Sequence, residues 1–362
     1  MGLPNIAITF QALANSAVQR LARGTVGLVL RDEQDNGACT LTRASQAAAE
    51  LKNLGANNLA YIERAFLGYV SAPNKAVVYV LPKTAADLSE ALAYMAAQSI
   101  DYLAGPPDAT PADIAGIETW IGDQRAVGAT PKAVLPKTAA DNIAIINFAT
   151  DGIQVGGSIS NTFSAAGYCS RIAGLIAGTP PSISCTYAPL PEVTAVAALS
   201  KPAMDAAIDA GQFIIFSDGA KVKAGRGVNS FQNLQNDAAK NDSYKKIKIV
   251  EIMDMINGDI RATAQDTYIG RYANSYDNKC LLISAINDYL RSLEAAGLLA
   301  RGRNTVAIDT AAQEEYLRAQ GVDISKMSEQ DVKEANTGAK VFLAATVSIL
   351  DAIEDITLNI TV

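Results

Sequence analysis

Between Gly24 and Phe148 the chain alternates short, β-branched apolar runs with helix-forming stretches, and this alternation limits the possible folds more than any other feature. Gly24 to Leu30 reads as a buried strand ending at Arg31-Asp32-Glu33. The turn signal Asp35-Asn36-Gly37 precedes a short strand near Cys39 to Leu41. Ser45 to Leu54 and Asn57 to Val70 carry helical patterns, the first closed by Gly55 and the second followed by Ala72-Pro73-Asn74. Strands are expected at Ala76 to Leu81, Tyr102-Leu103, Lys132 to Leu135 and Ile143 to Phe148. Helices are expected at Ala85 to Gln98 and at Pro111 to Arg125, the latter opening at Thr110-Pro111. Strands separated by helices of about 10–15 residues favour parallel pairing, so an α/β layer is predicted.

After the turn Thr150-Asp151-Gly152 the pattern changes. Residues 156 to 181 hold Gly156, Gly157, Gly167, Gly174 and Gly178, but neither phosphate-loop spacing nor a dinucleotide fingerprint is present. Ala165, Ala173, Gly174 and Ala177 are better read as small residues that let a helix pack closely. Pro202 to Ala210 predicts a helix stopped by Gly211, and Gln212 to Phe216 with Lys221-Val222 predicts a hairpin. Gly225 to Ser230 reads as a turn rather than a ligand loop. The longest helical region spans Tyr244 to Gly297, as two helices meeting at Asn274-Ser275. Asp254, Asp259, Asp266, Asp277 and Asp288 fall mostly off its apolar stripe and form no metal-loop spacing, so solvated faces and caps are expected for them. Short helices are expected at Thr310 to Ala319 and Ser328 to Ala335.

Both ends carry strand patterns. Asn5, Ile6, Ile8 and Phe10 lie in one alternating run, and Ile356, Leu358, Ile360 and Val362 alternate with Thr357, Asn359 and Thr361 in another. The second run has β-branched residues and nothing after it to pair with, so it must find a sheet elsewhere. An unpaired alternating strand is an association hazard unless a partner is intended for it.

Composition removes several function classes. The chain has no histidine, which excludes histidine-dependent triads and zincin sites. Cys39, Cys169, Cys185 and Cys280 are too scattered for a zinc or redox pair, and buried free thiols are expected. A net charge of −7 argues against a general nucleic-acid surface, and the short run Lys245, Lys246 and Lys248 reads as a solvated face. No stretch reaches the ~18 apolar residues of a membrane span. Met1-Gly-Leu-Pro-Asn-Ile has neither the basic nor the apolar part of a secretory signal, so folding in a cytosol is expected. No catalytic, cofactor or metal residues are assigned.

Several segments resemble one family. Tyr244 to Ile256, Asp259-Ile-Arg261, Tyr268-Ile-Gly270 and Asn274-Ser-Tyr-Asp-Asn-Lys279 look like the C-terminal core of contractile phage tail sheath proteins. They are closest to the small sheaths of Gram-positive phages and of phage-tail-like bacteriocins. Met1 to Ile6, Ala166 to Gly178, Gly227 to Ser230 and Ala335 to Val341 resemble the same family, whereas residues 31 to 150 resemble it least. The resemblance implies an α/β (α+β) tail-sheath fold with a mixed-sheet C-terminal domain, an α/β middle region and extended terminal arms. It implies a structural subunit rather than an enzyme: hexameric rings stack around an inner tail tube and contract to drive the tube through a target envelope. Terminal strands would be exchanged between subunits. The implied partners are copies of the chain itself, the inner tube protein, and baseplate and terminator proteins at the ends, with no direct nucleic acid or membrane. Assembly in a bacterial cytoplasm and release by lysis in a phage tail or bacteriocin particle follow.

On this reading residues 1–23 form an arm and linker, 24–100 a smaller outer α/β domain, 101–350 the main domain, and 351–362 the C-terminal arm. Hinges are expected at Asn15 to Arg23 and Asp351 to Glu354. Glu314, Glu315, Arg318, Lys333 and Glu334 are the candidates for facing the tube, since polar contacts can hold a surface that must later let go. The alternatives are that both ends pair within their own subunit, that the chain is an α/β enzyme with a carboxylate or phosphate-loop site, or that it is another ring-forming tail component.

Overall fold

The computed structural model describes residues 17–33, 37–156, 161–233 and 240–361. The chain divides into two compact units, one formed by 21–255 with 351–361 and the other by 17–20 with 256–350.

In the larger unit the order is β1 (Thr25–Asp32), β2 (Gly37–Leu41), α1 (Ala47–Glu50), α2 (Ala56–Ala65), β3 (Lys75–Pro82), α3 (Ser89–Ala96), β4 (Tyr102–Ala104), α4 (Pro111–Ala126), β5 (Lys132–Pro136) and β6 (Ile145–Phe148). Then come β7 (Ile153–Val155), β8 (Thr162–Phe163), α5 (Ala165–Ala177), β9 (Val193–Ala195), α6 (Lys201–Asp209), β10 (Gln212–Phe213), β11 (Ile215–Ser217) and β12 (Val222–Ala224), with α7 (Ile247–Thr263) starting here. Seven strands form one sheet in the order β10-β6-β5-β4-β1-β3-β2, every neighbour parallel except the antiparallel edge strand β2.

Period-2 alternation divides this sheet's side chains between two cores, as a parallel sheet covered on both faces requires. Val26, Leu28, Leu30, Val78, Tyr102 and Val134 face the side covered by α2 and α5. Val29, Val77, Leu103, Ala133, Leu135 and Ile145 face α3 and α4. The predicted parallel α/β layer is therefore present. Thr110 caps α4, its hydroxyl accepting from the Asp113 amide at 3.2 Å, with proline at the first helical position.

The small-residue helix packs as its sequence predicts. A Cβ on Gly174 of α5 would lie 1.8 Å from the Ala65 carbonyl oxygen at the end of α2, and one on Gly178 would lie 2.1 Å from that of Ser71. Gly174→Ala is expected to force α2 and α5 apart and to cost roughly 1–3 kcal/mol. Urea unfolding of the purified protein measures this, and an unchanged midpoint would contradict the contact.

Three local expectations are corrected. Ser45 to Leu54 is not one helix: after a 3-10 turn and the four residues of α1, Leu51 leaves helical geometry at φ −111°, ψ 61°. That break lets both Leu51 and Leu54 enter the core. Gln212-Phe213 does not join the hairpin, because it pairs with β6 at the sheet edge, and the hairpin is β11 with β12. The boundary drawn at residue 100 falls inside the sheet, where β1 pairs with β4. A separate 24–100 domain is not seen, because the β1–β4 ladder needs strands from both sides of that point.

The smaller unit continues with the rest of α7, a π-helical turn at Ala264–Tyr268, α8 (Tyr276–Ala295), β13 (Thr305–Ile308), α9 (Thr310–Ala319), α10 (Glu329–Glu334) and β14 (Leu343–Thr346). Ser275 caps α8 by accepting from the Asn278 amide at 3.3 Å, at the junction predicted for it. β13 and β14 pair antiparallel. Asp259 is fully buried and accepts from the Tyr289 hydroxyl at 2.6 Å, so it is not on a solvated face.

Candidate functional site

Residues 356–361 join no strand ladder, and their apolar side chains stand in solvent: Ile356 is 81% exposed, and Leu358 and Ile360 are each 76% exposed. Three aliphatic side chains in one alternating run, uncovered by their own unit, form an adhesive edge. Asn5, Ile6, Ile8 and Phe10 of the other expected arm, and Val362, lie outside the described residues.

The root of this segment is held firmly. Glu354 has a side chain only 6% exposed. Its carboxylate accepts from the Thr186 hydroxyl at 2.5 Å and the Ser184 hydroxyl at 3.3 Å, and lies 3.5 Å from both Arg226 Nε and Lys246 Nζ. Asp351 pairs with Lys246, and Asp355 takes a hydrogen bond from Arg226 at 2.6 Å. Three acids of the arm root thus meet two cations and two hydroxyls of the body. Burial works to lower the pKa of Lys246, but the hydrogen bond it donates to Asp351 and the charge of Glu354 raise it above the ordinary lysine value. Nearby Lys248 is buried and its pKa is lowered by that burial, with Asp351 and Glu354 opposing the shift.

The body side of this clasp is the loop between β12 and α7. Asn229 and Ser230 are buried: the Asn229 amide donates to Lys245 O at 2.9 Å, and the Ser230 amide donates to Ile145 O of β6 at 2.8 Å. The Gly227 amide donates to Thr186 Oγ1 at 2.9 Å. Gly225 to Ser230 is therefore not a plain turn, and Lys246 is not on a merely solvated face: both hold the arm root. Asp351 to Glu354, expected as a hinge, is pinned, because each of its acids meets a cation. The signal that was available was Arg226 between two glycines, followed by a lysine run and matched by three acids within 351–355.

The five tube-facing candidates sit on α9 and α10, which pack through buried Leu317, Val332 and Gln313, the last donating to Val332 O at 2.5 Å. Glu314 pairs with Arg318 at 3.2 Å and Lys333 with Glu329 at 2.6 Å, and Gln330 donates to Glu334 at 2.6 Å. Glu315 is exposed. Such i,i+4 pairs in solvent are weak, so these charges are available to an outside surface at little cost.

Burial pushes the Cys185 thiol up to about 12, and raises the pKa of Cys169 as well, which disfavours the thiolate in both. Among the described residues no three metal-ligating side chains lie together, and no helix is long and apolar enough to cross a membrane.

Residues 239–362 match the family model of the phage tail sheath C-terminal domain. The anti-feeding prophage helical sheath in its contracted state superposes with a TM-score of 0.74 at 14% identity, covering 100% of this chain and 99% of that one. A sheath tail protein from Desulfitobacterium hafniense gives 0.69 at 17% identity, over 84% and 94% of the two chains. The tail sheath protein of Clostridium phage phiCD119 is 36% identical over 368 residues, 99% of each chain. With that identity sustained along the whole length, and with the same fold in sheath structures, the chain belongs to the tail sheath protein family.

Proposed function

We propose that this structural sheath subunit works by arm exchange: copies stack as six-membered rings around an inner tube, and each lends its terminal segments as strands to the sheets of neighbours. The observation that carries this reading is the exposed alternating run at 356–361, rooted on a charged clasp. Covering Ile356, Leu358 and Ile360 is worth about 1.5–3 kcal/mol per side chain before the cost of ordering the arm. Strand addition supplies backbone hydrogen bonds besides, and these survive rotation of one subunit against the next.

Contraction of the stacked rings drives the tube through the target envelope, without chemistry performed by the chain. Glu314, Glu315, Arg318, Lys333 and Glu334 meet the tube, and baseplate and terminator proteins close the two ends. Assembly takes place in the bacterial cytoplasm before release in a phage tail or bacteriocin particle. The test is negative-stain microscopy of the purified protein under concentrated, low-ionic-strength conditions. Hollow cylinders with a regular axial repeat are expected; dispersed particles at every concentration would overturn the reading.

A further inference from the structure

The smaller unit contains a cavity of about 630 Å³ between the end of α7, the start of α8 and the segment leading into β14. Tyr268, Ile269, Tyr272, Lys279, Leu282 and Val341 line it, with Tyr268 and Tyr272 stacked at 5.3 Å. Two polar groups in this wall are unsatisfied. Lys279 is 3% exposed, and its side chain has no hydrogen-bond or ion-pair partner among the described residues. Asn274 uses its amide nitrogen fully, donating to Thr337 Oγ1, Gly338 O and Lys340 O at 2.7–3.0 Å, while its buried Oδ1 accepts from nothing.

A largely buried cation without a counter-charge and a buried acceptor without a donor each cost free energy, and no group among the described residues offsets either. Burial lowers the pKa of Lys279, as expected for an ammonium left without an anion. The missing group is a carboxylate for Lys279. An Asp or Glu side chain supplies it, and an adjoining aliphatic residue fits the tyrosine and leucine walls. Ile269, 68% exposed beside the opening, extends the apolar rim.

We propose that this cavity is a socket for an acidic side chain, flanked by an aliphatic one, from a second copy of this chain. Charge favours that source, since each copy carries 37 acidic against 30 basic residues and so offers carboxylates in excess. A socket on one surface filled from a different surface of the next copy is a heterologous contact, which propagates into rings or open helices rather than closing as a dimer. The inference rests on the reading that copies stack into a sheath, and names one of the contacts that hold them.

The test uses sheaths assembled from an equal mixture of unlabelled and ¹⁵N-labelled protein, treated with a carbodiimide. The reagent activates a carboxylate, the Lys279 amine displaces it, and an amide forms with release of the urea. Mixed-isotope crosslinks at Lys279 to an Asp or Glu are expected. Crosslinks of a single isotope only, or none at Lys279 in well-formed cylinders, would overturn the proposal. Lys279→Met, which keeps the apolar stem, is expected to lower cylinder yield at least tenfold while the monomer melts no lower than wild type. Normal yield, or a monomer that melts several degrees lower, would assign Lys279 to the subunit's own fold and sink the socket. If wild-type protein forms no cylinders at all, the sheath reading itself fails, a result separate from these.

Discussion

A chain lacking residues 355–362 is expected to remain folded and monomeric and to form no cylinders. The deleted side chains Ile356, Leu358 and Ile360 are all more than three-quarters exposed, so their loss removes almost no buried area from the unit they leave. Of the clasp, only the Asp355 contact to Arg226 is lost, and Asp355 is itself largely solvent-exposed. The melting temperature should therefore move by no more than about 2 °C, in keeping with surface changes worth less than about 0.5 kcal/mol. Assembly should fail outright, because each copy would lose both its adhesive edge and the strand it lends. Ordered cylinders from the truncated protein would refute arm exchange while leaving membership of the family untouched.

The second large effect is expected inside the subunit. Lys132, on β5, is 1% exposed and lies 3.0 Å from Glu251 and 3.1 Å from Asp254 of α7, while Arg125 makes a bidentate pair with Asp254 at 2.9 and 3.0 Å. Lys132→Met leaves two carboxylates short of a buried counter-charge, a change that costs about 3–5 kcal/mol. For a chain of this size the melting temperature should fall by roughly 4–7 °C. Circular dichroism melts read this directly, and an unchanged transition would mean that α7 is held by its apolar contacts alone.

The same cluster sets a pH dependence. Burial alone would raise the pKa of Asp254, but Lys132 and Arg125 hold it below the usual carboxylate range. A depressed carboxylate contributes stability that is present above the unfolded pKa of about 3.9 and is lost as pH falls through the folded value. Lys132 has the opposite sign: burial would lower its pKa, yet Glu251 and Asp254 raise it, so its contribution is lost only as pH rises beyond about 10.

The parallel layer was legible in the sequence because its signals are local. Apolar runs such as Ala76 to Leu81 and capped helices such as Thr110-Pro111 declare themselves without reference to distant residues. The small residues of α5 were legible for a similar reason, since a helix carrying Gly174 and Gly178 has little use for them except close packing. The failures were non-local. Asp254 and Asp259 looked like surface residues because their partners, Lys132 and Tyr289, lie 122 and 30 positions away. The arm's exposed edge could be read from its alternation, whereas its clasp could not, because Arg226 and Glu354 are brought together only by folding. Lys279 stands in the sequence only as the end of a family-like segment, since an unpartnered cation is visible only once every neighbour is in place.

The loop that receives the arm root determines where tension goes. Strain applied to the arm's tip passes first to Glu354 and Asp355, then across to Arg226 and Lys246. From the loop holding Arg226 it crosses the Ser230 amide to Ile145 of β6, one of the inner strands of the seven-stranded sheet. On the arm-exchange proposal, a pull from a neighbouring copy is thus delivered to the main sheet of the larger unit rather than to its surface.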